Sequence, residues 1–235
     1  MRRATSLPDP RPVLVTRPEP GASETAARLR AIGYVPVCAP VLTIEPKSIS
    51  LPDEYQAILL TSANGIVPGL PDRPVFTVGN ATAARAREAG FKDVRSAGRD
   101  AEALAELVIQ TCDRDAGPLL LSSGQAQGME FANRLRGAGF RIRRVVAYVA
   151  RPVRGLPIAT REFIAGGRGH ALFFSPESAH VFVRNCRRAA LGMRVSGIEA
   201  IAISPATAKA LAPLRWAGIR VAAHPNQDSL LALLP

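Results

Sequence analysis

Short runs of consecutive apolar residues alternate along the chain with longer amphipathic stretches. The early runs are "VLV" (13–15), "YVPV" (34–37), "AILL" (57–60) and "VFTV" (75–78), with helical periodicity over about 20–32 and 82–89. The rhythm resumes in "PLLLS" (118–122), "LFF" (172–174), "AIAI" (200–203) and "RVA" (220–222). Helices are expected there over about 128–138, 177–189 and 206–217, with a closing helix from Ser229. Strands this short and this uniformly apolar, separated by helices, predict an α/β fold of parallel sheets covered on both faces.

The pattern also repeats. "VLVTRPEPGASETAARLRAIGY" (13–34) aligns without gaps on "LLLSSGQAQGMEFANRLRGAGF" (119–140), and "LLTSAN" with "VGNATAARAREAGF" parallels "LFFSPES" with "ISPATAKALAPLRWAGI". The chain therefore reads as two copies of one α/β unit, since a solenoid has a far shorter period. If "LTIEP" (42–46) and "VAYVARP" (146–152) are the crossings, residues 46–150 form an inserted lobe, and residues 1–43 with 153–235 form the other. Pro46, Pro52, Pro152 and Pro157 flank the crossings and stiffen them. Ligands of open α/β sheets sit at the carboxyl ends of the strands, so the strand-to-helix turns of both lobes are where chemistry is expected.

Charge narrows the ligand. Thirty Lys and Arg against 19 Asp and Glu leave a net charge of +11, which suits a polyanion: nucleic acid, an anionic membrane, or a small molecule rich in carboxylates or phosphates. An Arg-rich solubilising surface accounts for the same number. The basic residues are spread over helix faces ("RLR", "RAREAG", "RNCRR"), aromatics are 5% of the chain, and no nucleic-acid motif is present, which argues against a nucleic-acid partner. No apolar run approaches a membrane span, and "MRRATSLPDPRP" lacks the apolar core of a signal peptide, so a soluble cytoplasmic protein is expected. Three widely spaced cysteines and three histidines without ligand spacing predict no disulfide framework and no metal site; Cys38, Cys112 and Cys186 read as buried or half-buried residues.

The turns carry the chemistry. "TRPEPG" (16–21), "TSANG" (61–65), "VGNAT" (78–82), "SSGQAQG" (122–128), "SPES" (175–178) and "SPAT" (204–207) are dense in small hydroxyl residues. Such residues cap helices, and helix N-termini also attract anions through unpaired N–H groups. No GxxxxGK[ST] is present and no GxGxxG follows a strand, so a nucleotide phosphate is not indicated. Small neutral turns with dispersed Arg suit several carboxylates held by backbone amides. Two classes stay open on these grounds, an enzyme and a non-catalytic two-lobed protein that binds a small polyanion.

Taken as an ordered set, "VLVTRP", "LLTSAN", "VGNATAARAREAGF", "VVAY", "FFSPESAHVF", "ISPATAKAL" and "DSLLALL" resemble uroporphyrinogen-III synthase from about Val13 to Leu234. The resemblance implies two flavodoxin-like α/β lobes joined by a two-stranded connector with a cleft between them, and no metal or organic cofactor. It implies a monomeric lyase that closes hydroxymethylbilane, a linear tetrapyrrole with eight carboxylates, to uroporphyrinogen III with inversion of ring D through a spiro intermediate. Transient contact with hydroxymethylbilane synthase, which makes the substrate, is left open.

The resemblance also implies roles. Tyr148 in "VVAYVAR" matches the family's tyrosine; a phenol is protonated at neutral pH and can donate to a leaving hydroxyl, while the alternative is an aromatic that packs the connector. Thr61, Ser62, Asn64, Thr82, Ser175 and Thr207 stand at motif positions and would offer hydroxyls and amides to acetate and propionate groups, with Thr82 and Thr207 expected to face each other across the cleft. Arg17 matches an arginine of the first motif, either pairing a carboxylate or tying a strand end. The chain departs at "LSSG" (121–124), where relatives often carry Arg-Gly: Ser122 and Ser123 supply no charge, so a carboxylate there would rest on amides. Ser204 likewise replaces a frequent glycine. His170 at a Gly-rich loop, His180 inside a helix and His224 before a proline read as surface or packing residues, and Trp216 as a core anchor.

Overall fold

A computed structural model describes residues 12–235; the N-terminal stretch read for targeting signals lies almost wholly outside them. Contacts divide the described chain into two compact units, one ending at Thr43 and resuming at Pro152, the other running from Ile44 to Arg151.

The first unit holds β1 (Pro12–Val15), α1 (Gly21–Ala31) and β2 (Val35–Cys38). Its later part supplies α5 (Ile158–Gly166), β9 (Gly169–Phe173), α6 (Pro176–Arg188), β10 (Ile198–Ala202), α7 (Pro205–Leu211), β11 (Gly218–Val221) and α8 (Gln227–Leu231). In the second unit are β4 (Ala57–Leu60), a single 3-10 turn at Ala63–Gly65, β5 (Val75–Thr77), α2 (Asn80–Glu88), β6 (Val94–Ser96), α3 (Ala101–Thr111), β7 (Leu119–Gly124) and α4 (Met129–Gly137). Two strands carry the chain across the unit boundaries, β3 (Leu42–Pro46) and β8 (Ile142–Pro152).

Strand order is β11-β10-β9-β1-β2 in one sheet and β3-β8-β7-β4-β5-β6 in the other. The neighbours β11 to β2, and β8 to β6, pair in parallel. β3 runs against β8, with Lys47 N–H donating to Ala147 O at 2.8 Å and Val153 N–H to Val41 O at 3.0 Å. Through the sequence repeat the two orders are one: β11, β10, β9, β1 and β2 correspond to β6, β5, β4, β7 and β8. Register agrees as well, because Val15 pairs with Cys38 while its counterpart Leu121 pairs with Arg144. The units are permuted copies of one design, and the permutation is why one is interrupted by the other in sequence.

Alternation explains the double cover of the second sheet. Leu59, Leu119 and Leu121 cluster with Leu104 and Val108 of α3 and Phe131 and Leu135 of α4, while Ile58, Leu60 and Leu120 cluster with Ala83 and Ala86 of α2. Each side chain of this size removed from water contributes roughly 1.5–3 kcal/mol, so neither face can be left bare. In the first unit Val13, Val15, Leu172 and Ile201 pack with Leu29, Leu230 and Leu231.

Several expected boundaries shift. The helix expected over 206–217 stops at Leu211, because Pro213 has no amide to continue it. α2 starts at Asn80, so Thr82 is its third residue rather than its first. β6, α3 and α5 fall outside the alternation read from the sequence. α3 nevertheless carries a start signal: Asp100 accepts from Ala103 N–H at 2.9 Å. No helix of the described residues is long and apolar enough to cross a membrane.

Candidate active site

The carboxyl ends of β4, β5, β7 and β8 lie side by side in the second sheet, which brings Thr61, Ser62, Asn64, Thr82, Ser122, Ser123 and Tyr148 to one edge. Arg17, Ser175 and Thr207 follow the adjacent β1, β9 and β10 in the first unit.

Tyr148 is buried, 3% exposed, and paired with Gly124 across a β-bulge that slips the β7–β8 register after Ser123. A Cβ on Gly124 would stand 2.8 Å from Cε2 and Cζ of the ring, so only glycine lets the ring lie there. The phenol donates to Gln127 Oε1 at 2.9 Å, and Gln127 itself is exposed. The hydroxyl thus sits one side chain beneath the surface.

Ser122 and Ser123 are not open donors. Ser122 is fully buried and gives its hydroxyl to Gly65 O at 2.6 Å, tying the turn after β7 to the turn after β4. Ser123 donates to Gln127 O at 3.3 Å and accepts from Arg144 Nε at 3.1 Å. Arg144 is the residue that sequence reasoning passed over. Its Nη2 reaches Gly124 O at 2.7 Å, Gln125 O at 2.9 Å and Gln127 O at 2.8 Å, so one guanidinium closes the whole turn. Ser123 is the repeat counterpart of Arg17, and Arg144 that of Cys38. The second unit therefore keeps a cation at this turn by carrying it on the neighbouring strand, a signal visible once the repeat is extended into β2 and β8.

Most hydroxyls of the turns are already used as caps. Ser62 accepts from Asn64 N–H at 3.3 Å. Ser175 accepts from Ser178 N–H at 3.1 Å, with the two hydroxyls 3.0 Å apart. Ser204 repeats the arrangement with Thr207, at 3.3 Å for the amide and 3.0 Å for the hydroxyls, and Thr207 is fully buried. What remains open is narrower. α2 begins after Gly79 with no side-chain cap, so its first amides keep their donors, and Thr82, its third residue, is half-buried. The Thr61 hydroxyl is buried without a hydrogen-bond partner at the end of β4.

Arg17 is half-buried at the end of β1 with its guanidinium 4.4 Å above the Phe174 ring. Nη1 donates to Gln227 Oε1 at 3.0 Å and to Thr25 Oγ1 at 3.4 Å. Gly21 leaves room for it, since a Cβ there would stand 2.3 Å from Nε. Burial pulls the guanidinium below its ordinary pKa, opposed by Glu24 and Glu19, yet no carboxylate forms an ion pair with it among the described residues. A partly desolvated cation with donors to spare suits an incoming carboxylate.

Other residues of chemical interest lie apart. His170 is a buried residue of β9, not a loop residue; its Nδ1 is 3.2 Å from Glu199 Oε2, at the opposite end of the strand from Ser175. His180 lies within α6 and His224 is exposed. Cys38 is exposed, Cys112 half-buried and Cys186 buried with its thiol pushed up to about 12 by desolvation, so the expected burial fails at Cys38. Trp216 stacks on Phe182 with centroids 5.7 Å apart and meets the Phe173 ring edge-on.

Known proteins bear on this arrangement. The family profile described as "Uroporphyrinogen-III synthase HemD" matches residues 23–232. The crystal structure of uroporphyrinogen-III synthetase from Helicobacter pylori shares the fold, with a TM-score of 0.61 at 15% identity over 95% of this chain and 97% of that one. A mutant uroporphyrinogen III synthase from Thermus thermophilus aligns over 94% and 96% at 16% identity, with a TM-score of 0.49. A search of curated proteins found no match. The profile spans nearly all of the described residues and takes in both units with their permuted halves, and on that ground the chain belongs to the uroporphyrinogen-III synthase family.

Proposed function

We propose that this chain closes hydroxymethylbilane to uroporphyrinogen III, with Tyr148 assisting departure of the terminal hydroxyl. The observation that carries the reading is the family match across both units. As a cyclising lyase of tetrapyrrole biosynthesis, the chain handles an electron-rich substrate that supplies most of the driving force, and protein groups chiefly curl it and guide closure.

In this reading the phenol gives its proton to the leaving hydroxyl, the C–O bond breaks, and water departs with the bonding pair. The pyrrole nitrogen lone pair fills the vacancy, giving a protonated azafulvene. The substituted carbon of ring D attacks it to form the spiro intermediate; fragmentation and recombination turn ring D over. Loss of a proton from the newly joined carbon restores the aromatic pyrrole and returns the phenolate to phenol. Water is the sole by-product, and no cofactor enters.

Two flavodoxin-like lobes, residues 1–43 with 153–235 and residues 46–150, would each offer the substrate the turns that follow their strands. The 2-1-3-4-5 order of β2-β1-β9-β10-β11, counted along the first unit, supports the label. Donors for the carboxylates would be the amides opening α2 with Thr82, the Thr61 hydroxyl, Asn64, and Arg17. Ser62 and Ser175 cap their own turns, Thr207 is tied by its amide and hydroxyl to the Ser204 cap, and Ser122 and Ser123 hold the neighbouring turn. A monomer in the cytoplasm, handed its substrate by hydroxymethylbilane synthase, fits this division of work.

Purified protein given hydroxymethylbilane is expected to yield the type III isomer by chromatography. Accumulation of the type I isomer alone would leave the binding-protein reading in its place. Arg17→Met keeps most of the stem over Phe174 and removes the charge. Loss of one charge-assisted carboxylate pair is worth roughly 1.5–3 kcal/mol, so KM is expected to rise about tenfold or more with kcat little changed. An unchanged KM would make Arg17 a tie between β1 and α8.

A further inference from the structure

We propose that Gln127 is a positioning residue for the reaction, setting which way the Tyr148 phenol presents its proton, and that Arg144 holds Gln127 in place to do so. The inference rests on the reading of Tyr148 as the proton donor and extends it to groups outside the family-matched motifs.

Three observations converge on the turn between β7 and α4. The phenol is buried and donates to Gln127 Oε1 at 2.9 Å, so in this arrangement its proton points at the carboxamide and not at a ligand. The Gln127 backbone is fixed from beneath: its carbonyl accepts from Arg144 Nε at 3.1 Å and Nη2 at 2.8 Å, and from the Ser123 hydroxyl at 3.3 Å. The start of the turn is fixed too, by Gln127 N–H to Gly124 O at 3.0 Å and by Gln125 N–H to Tyr148 O at 3.0 Å. The carboxamide is therefore the part of this arrangement left able to turn, on an anchored backbone at the protein surface.

A carboxamide is suited to the task because it carries an acceptor and two donors on one group. With Oε1 toward Tyr148 it holds the phenol proton. Turned over, it presents Nε2–H to the phenol oxygen, and the proton is released toward a substrate hydroxyl. Once that proton has passed to the departing water, the same N–H stabilises the phenolate until ring closure returns a proton. Leucine can do neither, and glutamate can only accept while adding a negative charge beside a forming anion. Arg144, the charged side chain bonded to the turn, lies on the phenolate's side of that balance.

The test uses the three tyrosines of the chain, Tyr34, Tyr55 and Tyr148. In a Tyr34→Phe/Tyr55→Phe background Tyr148 is the sole phenol, and its ionisation is followed by tyrosinate absorbance. Tyr55→Phe removes a buried hydroxyl that has no hydrogen-bond partner, so this background should fold. Gln127→Leu is expected to raise the Tyr148 pKa by about one unit and lower kcat roughly tenfold with little change in KM. Gln127→Glu should move both further in the same direction, and Gln127→Asn should recover part of the loss. An unmoved titration with unchanged kcat in Gln127→Leu overturns the inference. If Tyr148→Phe lowers turnover and Gln127→Leu does not, the inference fails and the reading of Tyr148 survives; if neither lowers turnover, that reading falls first and takes this one with it.

Discussion

Tyr148→Phe is expected to lower turnover of hydroxymethylbilane roughly thirtyfold, about 2 kcal/mol in the barrier, while the protein stays folded. The substitution is close to a single-atom deletion. Phenylalanine keeps the ring in the slot that Gly124 leaves open, where a Cβ would come within 2.8 Å of it, so packing is retained. The lost bond to Gln127 is one neutral hydrogen bond near the surface and costs about 1 kcal/mol of stability. A structural role would therefore show in the unfolding midpoint and leave turnover near the parent value; a proton-donating role shows in kcat. The expected drop is moderate because the pyrroles push the hydroxyl out themselves and positioning supplies much of the rate. Steady-state kinetics beside a urea titration separate the two, and turnover within twofold of the parent would return Tyr148 to packing.

Gly169→Val is expected to destabilise the first unit by roughly 3 kcal/mol or more. Gly169 opens β9 with φ +118°, a conformation that L side chains rarely adopt, and a Cβ there would lie 2.4 Å from the Pro12 carbonyl oxygen. That oxygen belongs to the backbone of β1, which pairs with β9 through Val13 and His170, so it cannot swing aside as a side chain could. The Phe163 ring, 3.1 Å from the same point, closes the other direction. Trp216 is the one tryptophan of the chain and sits in the first unit against Phe173 and Phe182, so its fluorescence reports this unit's unfolding. A urea midpoint unchanged from the parent would mean that β9 can pair with β1 without its glycine.

How far the sequence alone reaches depends on whether the signal is local. The β1, β4 and β7 strands were legible because both faces of a parallel sheet are covered, which forces consecutive residues such as Ile58, Leu59 and Leu60 all to be apolar. β6 was not, because an edge strand three residues long with Arg95 at its centre has no such run. The repeat was legible because Leu29 and Leu135, both fully buried, fill the same place in two copies of one helix-on-sheet contact. Arg144 escaped notice because its partners, Gly124, Gln125 and Gln127, are backbone carbonyls about twenty residues away that any sequence would offer. The hydroxyl-rich turns were visible as a class, but whether a hydroxyl caps its own helix or stays open depends on rotamers that composition does not encode.

The amino-acid sequence by itself determined the α/β class, the doubled design and the family. These follow from apolar periodicity and from the order of short motifs, which are properties of neighbouring residues. The tertiary structure decided which groups at the strand ends are free to act. It closed Ser122, Ser123, Ser175 and Thr207 into bonds of their own, left the amides of α2 uncapped, and fixed with Arg144 the turn from which Gln127 meets Tyr148. The physical reason is that a polar atom's availability is set by what lies within about 3 Å of it, and that distance is fixed by strand register and turn closure between residues far apart in the chain.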